Sequence, residues 1–183
     1  MRAFVSVDCD PLVEGIRAAQ EPFRDVDGIR VVDPEGAHVT LKFLGDIEED
    51  RVPAVEEALA AAVGDADVGP FDLRLTGYGA FPSTDYISVV WVGADEGSAE
   101  LTRLQAAVED RLVALGFDSE DHEFTPHVTI ARMDDAREKT HVKRVVAEET
   151  PDAGTMRVES VALTESTLTR AGPEYDTVAR IPL

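Results

Sequence analysis

Two tripeptides in this 183-residue chain carry residue types that can move protons and grip an anion: His38-Val39-Thr40 and His127-Val128-Thr129. On a strand, side chains alternate, so each His shares a face with its Thr, about 6.6 Å away, while the valine points to the other side. Histidine changes charge near neutral pH and can act as acid or base without extreme tuning. Threonine adds a rotamer-restricted hydroxyl that can donate to a phosphoryl oxygen. Two such strands facing each other would present two imidazoles and two hydroxyls to one phosphorus atom. That set suits metal-free hydrolysis of a phosphodiester. One imidazole takes a proton from the attacking water and the other protonates the leaving oxygen, each worth about 10²- to 10⁴-fold. A single His-x-Thr carries little weight, and two satisfied core histidines are the structural alternative. Repetition tips the balance: both copies read His-Val-Thr followed by Leu or Ile, and each precedes a helix.

The elements that must position these residues follow from periodicity and punctuation. Strands are expected over Arg2 to Cys9, Ile29 to Val32, Ala37 to Leu44, Phe71 to Phe81, Tyr86 to Gly93, Phe124 to Arg132, Met156 to Thr167 and Tyr175 to Ile181. Apolar residues at helical spacing predict helices over Pro11 to Arg24, Glu48 to Val63, Ala99 to Leu115 and Ala136 to Glu149. The two histidines lie 89 positions apart, about half the chain. Each half then reads as helix, His-x-Thr strand, helix and two further strands. The expected fold is α+β: a single domain, 1–183, of two similar αβ lobes facing each other across a central cleft.

Composition narrows the setting. Asp and Glu number 37 against 17 Lys and Arg, a net charge of −20, and only Lys42, Lys139 and Lys143 are lysines. The acids are spread along the whole chain, a pattern expected of a protein working in molar salt, where the Debye length falls to about 3 Å. Such a charge opposes general binding to nucleic acid, so a small footprint on a terminus is expected instead. The single cysteine, Cys9, cannot form an internal disulfide, which points to a reduced cytoplasmic setting. No apolar run is long enough to span a membrane, and the amino end reads as a first strand, not a signal peptide. A monomer is the expected state. No Cys/His cluster or Asp-rich loop has metal-ligand spacing, and no Gly-rich loop offers a phosphate cradle. No cofactor is expected.

The segments Ala37-His38-Val39-Thr40-Leu41-Lys42-Phe43-Leu44-Gly45 and Phe124-Thr125-Pro126-His127-Val128-Thr129-Ile130-Ala131-Arg132 resemble the two motifs of the 2H phosphoesterase superfamily. Within it they are similar to the RNA 2′,3′-cyclic phosphodiesterases, also described as LigT-like 2′-5′ RNA ligases. Arg2-Ala3-Phe4-Val5, Gly79-Ala80-Phe81-Pro82, Val90-Trp91-Val92-Gly93, Leu163-Thr164-Glu165-Ser166 and Gly172-Pro173-Glu174-Tyr175 extend the likeness over nearly the whole chain. The resemblance implies pseudo-symmetric lobes of antiparallel sheet with outer helices, and opening of a 2′,3′-cyclic phosphate at an RNA end to a 2′-phosphate. It implies His38 as proton donor, His127 as proton acceptor, and Thr40 and Thr129 as holders of the phosphoryl oxygens. The reverse joining reaction, action on 2′-5′ linked oligonucleotides, and a non-catalytic RNA-end module stay open.

Four further residues are candidates for holding substrate. Arg132 ends the second motif, where a guanidinium suits a phosphate, but its alternation parity differs from that of His127, so a surface ion pair is the other reading. Phe43 either faces a base or sits in the core. Lys42 shares the parity of His38 and Thr40 and either leans into the cleft or is a solvated strand-end lysine. Tyr175 is placed near the ligand. Arg74 and Arg170 could make the site less negative. His122 and His141 lie outside both motifs and are read as surface residues.

Overall fold

The computed structural model describes all 183 residues. Nine strands form one antiparallel sheet: β1 (Arg2–Asp8), β2 (Ile29–Val31), β3 (His38–Asp46), β4 (Phe71–Pro82), β5 (Ile87–Ala94), β6 (His127–Met133), β7 (Asp152–Val158), β8 (Ser160–Thr169) and β9 (Gly172–Pro182). Four helices back it: α1 (Val13–Ala19), α2 (Val52–Ala66), α3 (Ser98–Ala114) and α4 (Lys139–Glu148). The strand order is β7-β4-β5-β6-β3-β1-β8-β9, with β2 pairing the outer half of β6. The two motif strands are therefore neighbours at the centre, and they meet at Val39 and Val128. Both valines are fully buried and form the seam between the lobes.

One lobe consists of β3, β1, β8 and β9, and the other of β6, β5, β4 and β7. These are not the two halves of the sequence. The seam leaves the outer edge of β1 to β8, so the chain returns from its second half to complete the first lobe. The helices are exchanged as well. Helix α1 packs on β7 although it lies between β1 and β3 in sequence, and α3 packs on β3 although it lies between β5 and β6. Leu101, Leu104, Val108 and Leu112 of α3 and Val55, Leu59 and Ala62 of α2 are buried, a face repeating every three to four residues. Burying each of the larger aliphatic side chains stabilises the fold by about 1.5–3 kcal/mol.

Two expected elements divide. Met156 to Thr167 is not one strand: the chain breaks at Glu159 and passes there from β7 in one lobe to β8 in the other. Pro11 to Arg24 keeps only seven residues of α-helix, flanked by 3-10 turns at Asp10–Leu12 and Glu21–Phe23, each containing a proline. Proline disfavours α conformation in the residue before it, which stops the helix ahead of Pro22. No helix is long and apolar enough to cross a membrane.

Candidate active site

The register about Val39 and Val128 sets the site. In an antiparallel pair it brings His38 alongside Thr129 and Thr40 alongside His127. The two histidines are then diagonal neighbours on one face, with Cβ atoms roughly 7 Å apart. The four residues singled out by type and spacing are thus brought together, each imidazole beside the other strand's hydroxyl. Neither threonine hydroxyl is bonded to protein, and both residues are half-buried.

Each imidazole is held in the same way. The Nδ1–H of His38 donates to the Gly36 carbonyl at 2.7 Å, and that of His127 to the Thr125 carbonyl at 2.5 Å. A carbonyl oxygen only accepts, so Nδ1 carries the proton and Nε2 is left without a protein partner. Aromatic rings fix the ring planes. Phe4 lies tilted against His38 at 4.7 Å between centroids, with Tyr175 edge-on at 5.1 Å. Trp91 lies tilted against His127 at 5.6 Å, with Phe81 edge-on at 4.9 Å. Gly79 makes room for this arrangement, because a Cβ there would run into the Trp91 indole.

The two imidazoles differ electrostatically. Burial holds His38 below the usual histidine range, opposed by its hydrogen bond to Gly36 and by the negative charge of Asp8. Burial also lowers His127, opposed by the bond to Thr125, while the charge of His38 pushes it lower still. Asp8 is the cross-strand partner of His38 on β1 and is itself held by Arg180 at 2.9 Å. The carboxylate of Asp8 thus favours the protonated form of His38, and no carboxylate does the same for His127.

Two β-bulges decide which other candidates reach the cleft. On β3, Val5 pairs with Lys42 and Ser6 with Thr40, so Leu41 is an extra residue. On β6, Val90 pairs with Ala131 and Trp91 with Thr129, so Ile130 is extra. Each bulge reverses the alternation beyond it. Lys42 is therefore turned away from the cleft: it is 2% exposed and donates to Glu109 of α3 at 2.6 Å and to the Asp118 carbonyl at 2.7 Å. It is neither a cleft residue nor a solvated lysine. Phe43 turns the opposite way, onto the cleft face beside Phe4, and is 66% exposed. Arg132 also rejoins the face of His127 and Thr129, despite its parity in sequence, and no carboxylate lies within ion-pair distance of it. Its charge reaches the Tyr175 phenol, where burial raises the pKa and Arg132 works against the rise.

The remaining cations and histidines lie elsewhere. Arg74 is bound to Asp152 at 2.8 Å, on strands away from the seam. Arg170 occupies the turn between β8 and β9. His122 is exposed, and His141 ties α4 to the Pro22 carbonyl at 2.7 Å. One contributor had no signal in sequence. Gln20, fully buried at the end of α1, donates its amide to the Ile130 carbonyl at 3.0 Å and to the Val32 carbonyl at 2.7 Å. It thereby supports the bulge that turns Arg132 to the cleft. The aromatic walls Phe4, Phe81 and Trp91 were visible as strand residues but not as ring supports.

The chain is similar to known proteins in both sequence and fold. Residues 10–170 match the family model of the 2′-5′ RNA ligase superfamily. An Archaeoglobus fulgidus protein named RNA 2′,3′-cyclic phosphodiesterase is 36% identical over 177 residues, covering 96% of each chain. A Methanocaldococcus jannaschii protein of the same name is 32% identical over 180 residues, covering 97% of this chain and 98% of its own. Among solved structures, a Thermus thermophilus protein superposes with a TM-score of 0.81 at 26% identity, covering 100% of this chain and 98% of its own. Escherichia coli LigT complexed with 3′-AMP gives 0.75 at 23% identity, covering 100% and 97%, a likeness of fold. On sequence, coverage and fold together, the chain belongs to the 2′-5′ RNA ligase superfamily.

Proposed function

We propose that this protein hydrolyses RNA 2′,3′-cyclic phosphate ends to 2′-phosphates, without a metal, by paired-histidine acid–base catalysis. The observation that carries this reading is the seam, where two imidazoles whose Nε2 atoms have no protein partner and two unbonded threonine hydroxyls share one face of adjacent strands. The names of the archaeal relatives support the substrate class. In the proposed step, His127 Nε2 takes a proton from water as its oxygen forms a bond to phosphorus. The P–O3′ bond breaks, and His38 Nε2 gives its proton to the departing O3′. Thr40 and Thr129 donate to the non-bridging oxygens, whose charge grows in the transition state. The carboxylate of Asp8 beside His38 supports this direction of transfer. The family's name favours one second reading, the joining reaction, in which a 5′-hydroxyl takes the place of water in the same displacement, the P–O3′ bond breaks and a 2′-5′ bond forms.

The test is incubation with a 2′,3′-cyclic nucleotide in EDTA at high salt, with the phosphate position in the product read by NMR. Formation of the 2′-phosphate is expected. A 3′-phosphate, or activity abolished by EDTA, would overturn the mechanism.

Protonation asymmetry makes the pH profile diagnostic. The base must be neutral and the acid charged, so kcat/KM falls on the acid side as His127 protonates and on the alkaline side as His38 loses its proton. Both rings lie below the usual histidine pKa of about 6.5, so the bell is expected on the acid side of that value. Asp8→Asn removes the charge that favours the His38 imidazolium. Its alkaline limb should move to lower pH while the acid limb holds. If the alkaline limb stays put and the acid limb moves, the two roles are reversed.

The acidic surface belongs to the same proposal, as an adaptation to molar salt. A net charge of −20 repels itself over a Debye length of about 10 Å at 0.1 M and about 3 Å at 1 M. Tm is expected to rise from 0.1 M to 2 M KCl, and a flat or falling Tm would reject the adaptation.

A further inference from the structure

Arg30 was outside every motif, yet the sheet places it directly opposite Arg132. In the β2–β6 ladder the two residues are cross-strand partners, flanked by the pairs Ile29–Met133 and Val31–Ala131. Partners in an antiparallel ladder project to the same face, and the bulge at Ile130 makes that the face of His127 and Thr129. Two arginines therefore stand as neighbours on one face at the outer end of the cleft, in a chain with 37 acids and only 17 Lys and Arg. Like charges directly opposite are unfavourable in a sheet. Local carboxylates do not remove the conflict. Arg30 meets Asp134 at 3.2 Å, but both side chains are more than half exposed, and such a pair holds weakly. Arg132 has no carboxylate partner, whereas Arg180, Arg74 and Arg157 are each ion-paired. An anion between Arg30 and Arg132 would resolve the repulsion.

The position of the pair says which anion. Arg132 lies three residues beyond Thr129, about 10 Å along the strand less the shortening at the bulge. That offset sets the pair outward of the histidines, at the place of the next phosphate on the same strand.

We propose that Arg30, with Arg132, forms a second phosphate subsite that takes the phosphate attached to the 5′ oxygen of the terminal nucleotide. The proposal rests on the cyclic phosphodiesterase reading. The 5′ phosphate can come from a preceding nucleotide or from a 5′-monophosphate, and guanidinium recognition is the same for both. The chain would thus prefer ends that carry a neighbouring phosphate over a bare cyclic nucleoside phosphate, although its overall charge opposes binding to long nucleic acid.

The experiment compares kcat/KM on three substrates: a 2′,3′-cyclic nucleotide, its 5′-phosphorylated form, and a dinucleotide ending in the cyclic phosphate. The intact protein is expected to favour one or both of the latter, and the favoured substrate names the source of the phosphate. Arg30→Ala should cut that preference ratio about tenfold or more, and Arg30→Lys should restore part of it. Asp134→Asn, which removes the competing carboxylate, should raise the ratio. Turnover with no preference, or a preference that survives Arg30→Ala, would overturn the subsite and leave the catalytic reading standing. No turnover of any of the three substrates would remove the reading and the subsite together.

Discussion

Replacing His127 with asparagine is expected to lower kcat on a 2′,3′-cyclic nucleotide by about 10²- to 10⁴-fold, with a similar loss for His38→Asn. In barrier height this is about 3–5 kcal/mol for either residue. Asparagine keeps most of the volume between the aromatic walls and can still donate to the carbonyls of Thr125 or Gly36, so folding should hold. What it lacks is a basic nitrogen facing the cleft. The two losses should not add, because proton removal from water and proton delivery to O3′ serve one displacement. A double variant should be little worse than the weaker single one. The pH profiles supply a second reading: the His127 variant should lose the acid limb and the His38 variant the alkaline limb. Turnover that survives His127→Asn at the original rate would end the two-histidine mechanism.

How far the sequence reveals this site depends on alternation. His38, Thr40, His127 and Thr129 were legible because each pair sits two residues apart on an unbroken stretch of strand, where parity holds. Beyond Thr40 and Thr129 the bulges break parity, and nothing in Leu41 or Ile130 announces an extra residue. Lys42 therefore read as either a cleft residue or a solvated strand-end lysine and proved buried, while Arg132 read as out of phase and proved to share the cleft face. Exchange of α1 and α3 between lobes was hidden for a related reason. Helical periodicity marks an apolar face without naming the sheet that will cover it. Gln20 shows the same limit: a polar residue at a helix end gives no sign that a bulge carbonyl will need its amide. The paired αβ lobes were legible, because the two tetrapeptides repeat with the same flanks; the pairing of the motif strands at Val39 and Val128 and the lobe boundaries were not, since they follow strand pairing between distant segments.

Removing the partner of the buried lysine should have the largest effect on stability. Glu109→Leu leaves the Lys42 ammonium, 1% exposed in its side chain, facing only the Asp118 carbonyl. Stranding a buried charge in this way costs about 3–5 kcal/mol. At roughly 2–4 °C per kcal/mol for a chain of this size, Tm should fall by about 6–20 °C. The carboxylate also accepts the Glu120 N–H at 2.8 Å, so it joins α3, β3 and the segment that leads into His127. Acid should produce part of the same loss. Burial raises the Glu109 pKa, but the Lys42 hydrogen bond, the Glu120 N–H and the lysine charge together bring it below the usual carboxylate range. A depressed folded-state pKa contributes stability that is present above the unfolded value, about 4.3, and is lost as pH falls through the folded one. That part of the acid limb should be missing in Glu109→Leu. The cost lies in the unpaired charge more than in lost attraction, so Lys42→Met combined with Glu109→Leu should regain most of the stability by filling the space with apolar groups. A double variant as unstable as Glu109→Leu alone would mean that the pair itself, and not the stranded ammonium, holds α3 against the motif strand.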